Sequence, residues 1–133
     1  MKTIHKTRLL AVNGDKLLVI EKIGDTKECT LPGGVKKRKE SLEESLVRET
    51  KEEIGLLINP NKLSHIISNV VTKTDYIIIK HHFLLALKTD EFKVLETEKF
   101  KDVYWTYWED ALPYLDKEDK KATKKYFKNR FKK

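Results

Sequence analysis

Glu49, Glu52 and Glu53 stand within about one helical turn of each other in the stretch LPGGVKKRKESLEESLVRETKEEIGL, residues 31–56. Side chains three and four positions apart share a helix face, so carboxylates at this spacing repel one another. They also fall in the second half of the expected helix, where the macrodipole favours cations. A divalent cation reverses both penalties, because a hard ion such as Mg²⁺ is held by one or a few carboxylates together with phosphate oxygens of a substrate. Arg48 and Lys51 offer a plainer compensation, and on helix chemistry alone a solvated charged face is the favoured reading. Just upstream, Pro32-Gly33-Gly34 breaks a short strand-like run with residues that let the backbone turn sharply and approach a ligand.

The full spacing shifts that balance. Gly34 is followed by five residues, Glu40, seven residues, and then Arg48-Glu49-Thr50-Lys51-Glu52-Glu53-Ile54-Gly55-Leu56. This resembles the Nudix box, the signature of the Nudix hydrolase family, at every fixed position; Thr50 stands where the family usually has a bulky aliphatic residue. A pattern that sets two glycines, an arginine and four glutamates at defined distances is far more specific than a lone glycine-rich loop. The resemblance implies an α/β fold, a Nudix-type α/β/α sandwich with a mixed β-sheet. It implies an enzyme that hydrolyses the diphosphate bridge of a nucleoside diphosphate linked to another moiety, with Mg²⁺ or Mn²⁺ as cofactor.

By the same resemblance Glu49, Glu52 and Glu53 are the metal ligands. The ion they hold neutralises phosphoryl charge and lowers the pKa of water bound to it, and phosphoryl transfer otherwise asks the protein mainly for positioning and electrostatic stabilisation. Arg48 matches the arginine that orients the glutamates by ion pairing, and Glu40 matches a glutamate of structural rather than chemical role. Gly33 and Gly34 would bring backbone to the metal or phosphate. A general base is sought in the acidic loop 89–99, with Glu98 the first candidate and Glu96 the second.

Relatives often carry a Pro-Gly-Glu type of turn where this chain has Val35-Lys36-Lys37-Arg38-Lys39. Lys36 and its neighbours are candidates for attracting a polyphosphate, against the plainer reading of solvated lysines at a loop tip. The short length and unadorned box are similar to family members that cleave a nucleoside triphosphate to monophosphate and pyrophosphate. Motifs that mark NADH, coenzyme A or ADP-ribose specialists are not visible after Leu56. Tyr76, Phe83, Tyr104 and Tyr107 are candidates for stacking on a base, although packing suits each better. Two other readings stay open: a non-catalytic nucleotide-binding module of the same fold, and an RNA-binding protein that uses its basic tail.

The elements that must position these residues are legible in outline. Apolar runs on either side of Asn13-Gly14 predict a hairpin of strands 3–12 and 16–23, followed by a short strand at 28–31. The helix spans about 41–54, with Ser41 and Glu44 forming a capping box. Leu42, Leu46, Thr50 and Ile54, flanked by Val47, make its apolar stripe, and Gly55 its left-handed stop. Strands follow at 63–73 and 76–88, the second so continuously apolar that it belongs in the centre of a sheet. His81 and His82 then point to opposite faces and cannot share a metal; they, His5 and His65 are read as ordinary sheet or surface histidines. A strand at 101–107 carries Trp105, read as a packing residue, and the chain ends in a helix near 117–131 with Ala122, Tyr126, Phe127 and Phe131 on its apolar side.

The 133 residues suit one domain over 1–133. No apolar run reaches the roughly 20 residues of a membrane helix, and the first residues lack a leader-like apolar core, so a soluble, cytoplasmic protein is expected. Cys29 is the single cysteine, which excludes an internal disulfide and reads as a packed thiol. The net charge of +7 is concentrated in residues 117–133, and the rest of the chain is neutral. The basicity therefore says little about the substrate. A small-molecule nucleotide is the expected partner, nucleic acid a lesser one, with no membrane and a monomer or homodimer.

Overall fold

β1 (Lys2–Asn13) and β2 (Lys16–Lys22) form the expected hairpin in a computed structural model that describes residues 1–130. Asn13 pairs with Lys16, so the two turn residues are Gly14-Asp15 rather than Asn13-Gly14. Gly14 has φ 62°, the positive angle that a II′-type hairpin places on its first central residue. β3 (Cys29–Thr30) then lies against β2.

Where a turn was expected, Gly33–Val35 forms a strand, β4, antiparallel to β1 with Arg8 opposite Gly33, Thr7 opposite Gly34 and Lys6 opposite Val35. This close approach needs glycine: at φ 145° a Cβ on Gly33 would lie 1.9 Å from the Thr7 carbonyl oxygen. β5 (Ser64–Thr72), β6 (Tyr76–Ala86) and β7 (Phe100–Tyr107) complete the sheet. Its order is β3-β2-β1-β6-β5, with β4 on β1 and β7 on β2. β1 and β6 run parallel, while the other pairs are antiparallel. The apolar strand β6 is interior as expected, between β1 and β5.

Alternation along β1 divides two cores. Leu9 and Ala11 face α1 (Leu42–Ile54), packing with Leu46, Ile54 and Phe83. Leu10 and Val12 face α2 (Trp108–Ala111) and α3 (Lys117–Arg130), packing with Leu31 and Phe127. Helices on both faces of a mixed sheet make the expected α/β/α sandwich. Cys29 and Trp105 join these cores as packing residues, and the Trp105 indole N–H donates to the Thr89 carbonyl at 2.8 Å. Among the described residues no helix is long and apolar enough to cross a membrane.

The basic last helix is also part of the core. Asp119, Ala122, Thr123 and Phe127 are buried along α3, and the Phe127 ring stacks on Trp108 at 5.0 Å. The expected Phe131 of this stripe, with Lys132 and Lys133, lies outside the described residues. His81 and His82 point to opposite faces. His81 joins His5 and Ser68 at 3.0 and 2.7 Å, whereas His82 Nε2 meets Asp119 Oδ1 at 2.8 Å, both side chains fully buried. Asp119 also accepts the Leu31 N–H at 3.4 Å, tying α3 to the chain just before the glycine pair. Asp119→Ala is therefore expected to lower the unfolding free energy by about 3 kcal/mol, measured by urea denaturation; a loss below about 1 kcal/mol would show the contact to be dispensable.

Candidate active site

The acidic helix begins and ends on local chemistry. Ser41 Oγ accepts the Glu44 N–H at 3.0 Å while the Glu44 carboxylate accepts the Ser41 N–H at 2.8 Å, the predicted capping box. Gly55, at φ 66°, closes the far end and donates its N–H to the Lys51 carbonyl. Two more carbonyls there are met from outside, by the Lys93 N–H on Ile54 at 3.0 Å and the Leu95 N–H on Glu53 at 2.9 Å. Such satisfaction is required of a buried helix end, and it brings the acidic loop 89–99 against the carboxylates. Thr50 stands in for an aliphatic residue because it is fully buried with its hydroxyl bonded to the Val47 carbonyl at 3.1 Å.

Arg48 gathers the carboxylates. Its Nε lies 2.6 Å from Glu40, and Nη1 lies 2.9 Å from Glu49 and 3.3 Å from Glu52. Nη2 donates to Glu40 at 3.0 Å and to the Val35 carbonyl at 3.1 Å, so one planar fork links α1, the basic loop and the end of β4. The hydrogen bonds from Arg48 hold the Glu40 carboxyl down at about 2, and the same contacts raise the Arg48 pKa. Glu40 also accepts the Lys37 N–H at 2.7 Å.

Glu53 is the inward member, only 6% exposed. Burial pushes its carboxyl up to about 8 and the charges of Glu49 and Glu96 add to this, while the Gly33 N–H and the Arg8 charge oppose it. Gly33 donates that N–H to Glu53 Oε1 at 2.9 Å. A Cβ on Gly34 would lie 2.5 Å from the Glu49 carboxyl carbon. The two glycines therefore bring β4 against the glutamates themselves. Glu52 is the outward member, its side chain about half exposed at 48%.

Among the described residues no three carboxylate, histidine or cysteine side chains converge closely enough to enclose an ion. The Arg48 guanidinium reaches both Glu49 and Glu52. The donor set nevertheless suits a hard divalent cation: it is all carboxylate oxygen, and Glu53 is held toward its neutral form by burial, a penalty that a cation removes.

The remaining predicted residues divide. Glu96, its side chain 25% exposed, acts electrostatically on Glu53, whereas Glu98 is exposed on the following turn. Lys36, Lys37 and Arg38 line a cavity of about 690 Å³ with Lys2, Lys6 and Tyr76, and none of the three box glutamates lines it. Phe83 is core, Tyr104 donates to Glu21 at 2.9 Å, and Tyr107 is exposed. Arg8, a guanidinium that precedes the apolar run Leu9–Val12 of β1, lies opposite Gly33.

The NUDIX domain family model matches residues 4–128. The chain is similar to the solution structure of the ORF135 protein of E. coli, at 22% identity and TM-score 0.82 over 98% of this chain and 93% of that one. It is similar to the crystal structure of a MutT NUDIX hydrolase from Burkholderia pseudomallei, at 17% identity and TM-score 0.81 over 95% and 99% of the two chains. A third likeness is to a bifunctional NMN adenylyltransferase/ADP ribose pyrophosphatase from Francisella tularensis, complexed with AMP and a manganese ion. Here identity is 17% and the TM-score 0.69, over 96% of this chain and 42% of that one. At these identities the likenesses speak for the fold.

The Glu53 carboxyl makes stability depend on pH in a definite direction. Its pKa is raised from 4.5 to about 8, so between those values the native state keeps a proton that the unfolded chain has lost. The contribution is fully present below about 4.5 and is lost as pH rises through about 8. In the presence of a chelator, the unfolding free energy of the wild type is expected to fall by up to a few kcal/mol across that window. Glu53→Gln should lack this fall. Urea titrations over the pH range test it, and parallel profiles for the two proteins would refute the assignment.

Proposed function

The chain belongs to the Nudix family, its NUDIX domain spanning residues 4–128, and on that premise we propose that it cleaves a nucleoside triphosphate to the monophosphate and pyrophosphate. As a Nudix hydrolase it acts on phosphoanhydride bonds. The observation that carries the hydrolytic reading is the holding of Glu49 and Glu52 by Arg48, and of Glu53 by the Gly33 N–H, beside the Gly33-Gly34 strand. Glu49, Glu52 and Glu53 are the residues that would hold Mg²⁺ or Mn²⁺, and the manganese in the Francisella tularensis relative supports the choice of ion. When bound there, such an ion supplies charge neutralisation at the diphosphate and acidifies water.

The chain's own groups supply orientation and proton transfer. Arg48 keeps Glu49 and Glu52 aligned through its ion pairs. The Gly33 N–H fixes the Glu53 carboxylate by its 2.9 Å hydrogen bond, so the inward ligand needs little reorganisation. Glu96 takes the proton of the attacking water in this reading, with Glu98 second, because Glu96 is the partly buried loop carboxylate acting on Glu53. The reading treats residues 1–133 as one catalytic domain working in the cytoplasm as a monomer or homodimer. The short chain and the box without appended motifs support a triphosphate over a larger dinucleotide.

A nucleotide panel with Mg²⁺ compares wild type with Glu52→Gln. Since Glu52 is half exposed, the variant should keep its fold while kcat falls by orders of magnitude, the loss expected when transition-state charge stabilisation is removed. Equal rates would refute the role of the carboxylates. Replacing Lys36, Lys37 and Arg38 together by glutamine should lower kcat/KM at low salt and flatten its dependence on ionic strength. An unchanged salt profile would assign these residues to solvation alone.

A further inference from the structure

Arg8 is a cation that the ion pairs of the site leave unused. It lies on β1 directly opposite Gly33, whose N–H is bonded to Glu53, so its backbone is one strand from the most buried carboxylate of the box. Alternation puts its side chain on the face of Leu10 and Val12, toward α3. There Lys80 is already engaged, at 2.9 Å from Asp116 and 3.0 Å from Glu118. The Arg8 guanidinium makes one hydrogen bond, from Nη1 to the carbonyl of the adjacent Thr7 at 3.1 Å. Its Nε is buried and has no partner, and among the described residues the guanidinium enters no ion pair.

This is an unusual way to leave an arginine. A buried N–H without an acceptor is costly, and native structures keep few of them. The Arg8 charge lowers the pKa of both Glu53 and Asp116, so its field reaches the acidic helix as well as the start of α3. With Nη1 on the Thr7 carbonyl, the Nε–Nη2 edge is the planar pair of donors left to match two oxygens on one phosphorus. A plain balancing of the two carboxylates would not require Nε to be withdrawn from water without an acceptor.

We propose that Arg8 is a phosphate-binding residue, its Nε–Nη2 edge receiving a phosphoryl group of the substrate beside the Gly33 end of the site. The placement of that phosphoryl group rests on the hydrolase reading above, whereas the anion subsite itself does not need a metal. Arg8 thus separates binding of the polyanion from the chemistry of the glutamates. Its loss should appear in KM more than in kcat.

Calorimetric titration with inorganic pyrophosphate in chelating, metal-free buffer tests the subsite directly. Arg8→Gln is expected to weaken pyrophosphate binding about 10- to 100-fold, with Arg8→Lys restoring part of it because the charge returns without the fork. In the wild type, the Arg8 Nε–H resonance should shift on titration, a readout that does not depend on any variant folding. Equal affinities for wild type and Arg8→Gln, or an Nε–H resonance that does not move, would overturn the proposal. Arg8-dependent pyrophosphate binding by a wild type that turns over no nucleotide with Mg²⁺ would leave the subsite standing and remove the hydrolase reading.

Discussion

The structure of the site depends on one guanidinium. Arg48 contacts Glu40, Glu49, Glu52 and the Val35 carbonyl at once, so it joins the basic loop, the end of β4 and the acidic helix in a single rigid fork. Without a countercharge, carboxylates at this helical spacing would repel one another and rotate toward solvent. With it, Glu49 and Glu52 are held together, Glu49 against Gly34 and Glu52 toward solvent. A lysine could supply the charge but not the planar set of donors that reaches several acceptors in fixed directions.

The second constraint is backbone proximity. Gly33 and Gly34 have a shared consequence, which is that β4 can run against both β1 and α1. On one side the Thr7 carbonyl occupies the space of a Gly33 side chain, and on the other the Glu49 carboxylate occupies that of Gly34. The Gly33 N–H then becomes a fixed donor to Glu53. Burial raises the pKa of that carboxyl while the hydrogen bond opposes the rise, so Glu53 is tightly positioned yet ready to gain from an incoming cation.

Around this centre the two cores have distinct tasks. The apolar side of α1 holds the helix to the sheet through Leu46 and Ile54, leaving its acidic side directed at β4. The opposite core anchors α3 through Phe127 and the His82–Asp119 contact. The lysines of α3 therefore belong to the outer face of a structural helix, and its basicity is separable from the chemistry of the box only in sequence, not by removing the helix.

The sequence by itself determined the local parts. The capping box of Ser41 and Glu44, the Gly55 stop, the apolar stripe from Leu46 to Ile54 and the crowding of Glu49, Glu52 and Glu53 are all interactions within a few residues, and helix geometry alone dictates them. The interior place of β6 was equally readable from its continuous apolar run. Only the tertiary structure decided what depends on strands meeting from far apart in the chain. It turned Gly33–Val35 into a strand, brought the Lys93–Leu95 backbone onto the end of α1, brought the charge of Glu96 to bear on Glu53, and set Arg8 across from Gly33. Those outcomes follow from sheet register and loop docking, which no local periodicity encodes. The acidic helix was written in one stretch of sequence, whereas its surroundings required the whole sheet.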